Sequence, residues 1–201
     1  MQLVKVSSRY GLLLGFIALI CTALSSGVYF LTKDKIDHAV AQQQRTLLQQ
    51  VIAQDNFDND LAQSCQDIKG NIRYIDKLCH ANKNGKTVAY AFETTAPDGY
   101  SGNIRLLVGM TAQGEILGVR VIEHKETPGL GDKIETRVSN WILAFAHQRI
   151  STENQADWAV KKDGGKFDQF SGATITPRAV VNQVKRSALA LLDAIQQNKA
   201  E

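Results

Sequence analysis

From Tyr10 to Thr32 the chain carries no charged side chain. Leu12-Leu13-Leu14, Phe16-Ile17-Ala18-Leu19-Ile20 and Val28-Tyr29-Phe30-Leu31 fill the stretch. A helix needs ~20 mainly apolar residues to cross the hydrocarbon core of a bilayer, and this run supplies them. A cleaved signal peptide is the rival reading, with Ala23-Leu24-Ser25 as its cleavage site. A signal core is usually about 7–15 residues long. This run continues past that site through Val28 and Leu31, which favours a retained anchor. Cys21 follows Ile20 rather than a small residue, so a lipoprotein site is not expected. Lys5 and Arg9 precede the run, and Lys33 and Lys35 follow it among Asp34 and Asp37. Those flanks are nearly balanced. The short leading tail favours a cytoplasmic N-terminus and an exported domain. The expected organisation is a tail over 1–9, a membrane helix over 10–32, a juxtamembrane helix over 33–56 and one domain over 57–201. The core of that domain is expected at about 85–196.

The juxtamembrane helix rests on Ile36, Val40, Leu47, Leu48, Val51 and Ile52, which recur at helical spacing without Pro or Gly. An acidic, turn-rich piece follows from Asn56 to Gly70. Strands are then expected over 87–93, 104–110 and 116–123, from alternating apolar residues. Asn84-Gly85, Pro97 to Gly102 and Gln113-Gly114 supply turns around them. Val138 to Ala146 reads as a helix with Trp141, Ile142 and Phe145 on one face. A last helix carries Val180, Val181, Val184, Ala188, Leu191, Leu192 and Ile195 on one stripe. Thr176 is its expected N-cap and Pro177 its first residue. The fold class is α+β: an antiparallel meander packed by helices.

Net charge is +3, and two of the basic residues precede the anchor. The remainder is near neutral, which argues against nucleic acid as a partner. The three cysteines include Cys21, in the apolar run. Cys65 and Cys79 lie in the exported part, where a disulfide is permitted. They read as a staple or as two free thiols, and their spacing does not choose. Glu123, His124 and Glu126 lack a second His/Cys cluster, so no metal site is expected. His124 reads as a loop hydrogen-bonder, and Asp132 and Lys133 as surface ions. The four histidines are scattered and no serine has a G-x-S-x-G context. No catalytic residue is therefore assigned.

Chemistry concentrates at Asp168-Gln169-Phe170-Ser171-Gly172-Ala173-Thr174. Gly172 and Ala173 leave the Thr174 hydroxyl unshielded, and Gly172 permits positive φ. The helix that follows presents unpaired N–H groups and a positive dipole end to an anion. Lys161, Lys162, Lys166 and Arg178 are close in sequence and read either as phosphate partners or as a solvated face. The plain alternative for the motif is a capped loop, and Thr176 is the alternative acceptor. A second segment, Pro128-Gly129-Leu130-Gly131, brings backbone N–H and C=O groups near a flat ring, with Leu130 against a ring face. Phe170 reads as core, and Trp141 as core or ring stack.

With an N-terminal anchor, D-x-x-S-G-A-T near the end, Gly99-Tyr100-Ser101-Gly102, and Glu123-His124-Lys125-Glu126-Thr127-Pro128-Gly129-Leu130-Gly131 between them, the chain resembles the FMN-binding domain family. The likeness is nearest to the G subunit of Rnf (Rsx) ion-translocating oxidoreductase complexes. The C subunit of the sodium-pumping NADH:quinone oxidoreductase shares the domain but is typically longer. The resemblance implies one FMN per chain, held by a phosphoester to Thr174, with Asp168, Ser171, Gly172 and Ala173 forming the attachment signal. It implies a flavin transferase for maturation and other members of the complex as partners. It places the domain on the outer side of a bacterial inner membrane, relaying electrons between ferredoxin and NAD or keeping a redox sensor reduced. A cofactor-free assembly module and an independent FMN reductase are the competing readings. The missing nicotinamide fingerprint counts against the reductase.

Overall fold

The computed structural model describes residues 2–68 and 70–200. The chain divides into two compact units between Gln43 and Gln44. The first is helical, within α1 (Gln2–Val51). Its side chains from Tyr10 to Leu31, such as Leu12, Phe16 and Phe30, are exposed. This helix is long and apolar enough to cross a membrane.

The second unit is built on a six-stranded antiparallel meander in chain order. Its strands are β1 (Gln66–Asp67), β2 (Lys77–Lys83), β3 (Lys86–Gly99), β4 (Gly102–Thr111), β5 (Glu115–Glu123) and β6 (Gln148–Arg149). The expected meander is present, with β3 running to Gly99 through the predicted turn at Pro97. Three strands had no local signal. β2 contains no β-branched or aromatic residue apart from the His80 ring, and β1 and β6 are two residues each. Asn84-Gly85 closes the β2–β3 hairpin, with Lys83 opposite Lys86 and φ of 53° and 73° in the turn. Two left-handed residues are what a two-residue hairpin loop of this type requires.

Side chains alternate between two cores, as period 2 demands. Phe92, Leu106 and Val108 join Trp158, Phe167, Val180, Val184 and Leu191 on the face covered by α2 (Ile175–Ala200). Ala91 and Leu107, their neighbours in sequence, join Leu48, Val51, Ile52 and Leu61 on the other face. The expected helix over 33–56 therefore ends early, at Val51, and Gln54–Asn56 is a 3-10 turn. The cause is a close approach. Gly109 and Gly118 are paired across β4 and β5. A Cβ on Gly109 would lie 2.3 Å from the Val51 carbonyl oxygen. The last turn of α1 rests on a patch of sheet without side chains, and the chain must then turn away.

The helix expected over 138–146 is shorter, a 3-10 segment over Trp141–Phe145 with Ile142 and Phe145 buried. His147 and Ile150 donate N–H groups to the Ile116 and Gly114 carbonyls, which draws the chain into β6 and leaves no room for two α-turns. Cys65 and Cys79 form a disulfide with a sequence separation of 14. Loop-closure entropy predicts a stabilisation of about 3 kcal/mol for a loop of this size. Reduction of the full chain in detergent is expected to lower its urea midpoint accordingly. An unchanged midpoint would show that the staple contributes no stability.

Candidate functional site

The expected cap of α2 needs correction. The Arg178 N–H donates to the Thr174 carbonyl at 3.2 Å, and helical geometry starts at Ile175. Thr174, not Thr176, stands at the N-cap position. Pro177 is the third helical residue, still inside the turn where a missing N–H leaves no gap. Thr176 is 1% exposed, and its hydroxyl donates to Glu126 Oε2.

Glu126 is itself buried and accepts the Ser101 N–H at 2.9 Å on its other oxygen. One carboxylate thus ties three segments together: the β3–β4 turn, the loop after β5 and the first turn of α2. The Glu126 N–H donates to His124 Nδ1 at 3.0 Å, and His124 Nε2 meets the Glu135 carboxylate. The two contacts select the tautomer with the proton on Nε2. The Arg137 guanidinium, aided by His124 and opposed by partial burial, holds the Glu135 carboxyl below its ordinary range. Glu123 lies apart, in an ion pair with Arg105 at 3.2 Å. Gly131 fits where no side chain could, since a Cβ there would lie 2.8 Å from Thr176 Oγ1 and 2.9 Å from Glu126 Cβ.

These contacts shape a cavity of about 280 Å³. Leu130 and Gly131 line one side, Gly172, Ala173 and Thr174 another, and Tyr100, Glu126, Thr127, Ile175 and Thr176 complete it. The two sequence motifs, far apart in the chain, meet here. Gly172 adopts φ +79°, which lets the loop turn into the helix beside open space. Pro128 and Gly129 are exposed in the turn beside the cavity, and Ser171 is exposed at the start of the other loop.

Asp168 is not among the lining residues. Its carboxylate pairs with Lys161 at 2.6 Å, and its carbonyl accepts the Trp141 indole N–H at 2.7 Å. Trp141 therefore anchors the start of the motif. It packs edge-on to Phe170, which is buried. Arg178 is held by Asp163 at 2.6 and 2.9 Å, and Lys166 lies over the Trp158 ring. These three cations are engaged away from the cavity, and Lys162 is exposed and does not line it. The helix end supplies positive potential there. Sequence reasoning gave no site role to Tyr100, Thr127 and Ile175, and it weighed Glu126 by itself only as a metal ligand, which it rejected. Their one signal was position, within or beside motifs quoted for other reasons.

Known proteins resemble this chain over the same residues. A model described as "FMN-binding domain" matches residues 99–188, and one described as "RnfG N-terminal region" matches residues 1–51. The first span contains every residue that lines the cavity. The chain is 67% identical over 196 residues to the G subunit of the ion-translocating oxidoreductase complex of Haemophilus influenzae (strain PittEE), covering 96% of this chain and 94% of that protein. The G subunit of the same complex from Pasteurella multocida (strain Pm70) is 62% identical over 200 residues, covering 98% and 99%. The chain belongs to the RnfG family. Shewanella oneidensis NqrC shares its fold, with a TM-score of 0.50 and 22% identity over 74% of each chain.

Membership makes FMN the group to test against this site. The cavity is just below the ~300–1,000 Å³ typical of small-molecule sites. A volume of that order suits a flat ring system. Apolar atoms of Leu130, Ala173 and Ile175 suit ring faces, and Thr174 borders both the cavity and the helix N-terminus. The residues present fit the cofactor.

Proposed function

We propose that the chain is the membrane-anchored flavoprotein component of an ion-translocating oxidoreductase complex, with one FMN in phosphoester linkage to Thr174. The observation that carries this reading is the convergence of Thr174 with Leu130 and Gly131 on one cavity. Bound FMN supplies the redox chemistry, accepting and passing on electrons, and the protein supplies position and potential. The Thr174 hydroxyl receives the phosphoryl group from FAD by the action of a flavin transferase. The Oγ–P bond forms, the FAD pyrophosphate bond breaks, AMP leaves and the hydroxyl proton is released.

Each motif has a task in this reading. The N-terminus of α2 stabilises the phosphodiester charge. Gly172 keeps the approach to Thr174 open, and Ser171 and Ala173 present that small-residue loop to the transferase. Pro128 to Gly131 holds the ring edge, with Leu130 on its face. Asp168, anchored by Lys161 and Trp141, marks the start of the attachment signal. Tyr100 is 68% exposed at the rim, so the ring is open to electron donors and acceptors. The protein relays electrons within the complex, between its ferredoxin and NAD sides, and does not turn over alone.

The anchor is read as a single span over 10–32, with the tail over 1–9 in the cytoplasm and the domain from 57 onward in the periplasm. The Cys65–Cys79 disulfide supports this orientation. Intact mass of denatured protein from cells that contain a flavin transferase tests the cofactor claim. FMN mass on the peptide that carries Thr174 is expected. An unmodified mass, with the transferase active on another target, would favour a cofactor-free assembly module.

A further inference from the structure

We infer that the Glu126 carboxylate sets the flavin's reduction potential, holding it low by placing a fixed negative charge in the wall of the flavin cavity. This rests on the reading that FMN on Thr174 occupies that cavity. Glu126 lines the cavity yet is only 5% exposed as a residue. Buried carboxylates are rare unless paired or well hydrogen-bonded. Here both oxygens are satisfied, by the Ser101 N–H at 2.9 Å and by the Thr176 hydroxyl. Both donors are neutral, so neither cancels the charge. Arg178, Lys161 and Arg137 are bound to Asp163, Asp168 and Glu135, and Lys125, next to Glu126 in sequence, is exposed to solvent, where its charge is screened.

The electrostatic consequence follows from the charge balance of reduction. Two-electron reduction takes two electrons from the donor and fewer than two protons at neutral pH, so the ring gains net negative charge. A fixed carboxylate in the same low-dielectric cavity opposes that gain. Ser101 and Thr176 hold the carboxylate in place, which makes the opposition a built-in property of the fold. The hydrogen bonds also offer a clean way to remove charge alone. A glutamine amide can accept the Ser101 N–H through its oxygen and donate to Thr176, whose hydroxyl rotates to accept.

The test is a mediated redox titration of full-length, flavinylated protein in detergent at pH 8, for wild type, Glu126→Gln and Glu126→Asp. Peptide mass checks for FMN on Thr174 in each. In Glu126→Gln the potential is expected to shift positive, raising the reduced-to-oxidised ratio at a fixed potential by roughly tenfold or more. Glu126→Asp keeps the charge and is expected to stay near wild type. An unmoved potential in Glu126→Gln, or an equal rise in Glu126→Asp, overturns the inference.

If Glu126→Gln fails to fold or to take FMN, Glu126→Asp is read beside Thr127→Lys. The latter adds a cation at the exposed rim of the same cavity. A rise in Thr127→Lys with none in Glu126→Asp supports the inference, and no rise in Thr127→Lys overturns it. Absence of FMN from the wild-type Thr174 peptide would instead overturn the attachment reading on which the inference rests.

Discussion

Thr174→Ala is expected to fold, to insert in the membrane and to carry no covalent flavin. The expected fall in denaturation-resistant FMN is complete. The alternative acceptor cannot substitute, because Thr176 is buried and its hydroxyl is committed to Glu126. Thr174 is half-buried at the N-cap position of α2, so alanine costs the helix at most a cap. Loss of a cap typically costs ~1 kcal/mol, a small part of the ~5–15 kcal/mol that holds a typical domain folded. The helix is kept by Val180, Val184, Ala188 and Leu191 against the sheet. Intact mass and far-UV circular dichroism of the same sample check both halves of the expectation. Flavin on denatured Thr174→Ala protein would show that another residue accepts it.

Gly109→Val is expected to give the largest loss of stability, and by a route independent of the flavin. The first atom added lies 2.3 Å from the Val51 carbonyl oxygen and 2.9 Å from its carbon. Both are backbone atoms, which cannot swing aside as a flexible side chain would. Across the ladder, a Cβ on the paired Gly118 would lie 3.0 Å from the Val51 Cα, so the helix end sits close to both glycines. Overpacking alone typically costs ~1–3 kcal/mol. Displacing the helix end adds the exposure of Leu48, Val51 and Ile52, each worth ~1.5–3 kcal/mol when fully buried. A loss of several kcal/mol is expected in urea unfolding of the full chain in detergent. Hydrogen exchange should rise first over 48–52. Val88→Ala, at a more exposed position on β3, should change stability by less than about 0.5 kcal/mol. A Gly109→Val protein as stable as wild type would mean that α1 does not end against the sheet.

The likeness to NqrC concerns the fold alone. The RnfG relatives match nearly end to end, anchor included. The domain therefore reads more naturally as a member of that family than as the quinone-reductase counterpart.

Features with a local period were readable from the sequence. The uncharged run from Tyr10 to Thr32, the stripe from Val180 to Ile195 and the alternation in β3, β4 and β5 are each set by neighbours within one element. Short-range sterics and water are enough to specify them. The two glycine-bearing motifs were also visible, because small residues beside Thr174 and in Pro128 to Gly131 have a chemical meaning of their own.

What tertiary contacts decided lay at the joins. β2 is a strand because Asn84-Gly85 folds it onto β3, and its own residues do not say so. Cys65 and Cys79 pair because their segments lie beside one another under Leu61. α1 stops at Val51 because two glycines on distant strands leave it a seat. Thr176 is withdrawn from capping because Glu126, fifty positions away, takes its hydroxyl. Lys161 and Arg178 are withdrawn from the cavity because Asp168 and Asp163 take their charges. Each is a contact between residues remote in sequence or held by a turn, where the energy belongs to the pair, so no periodic pattern around either partner contains it.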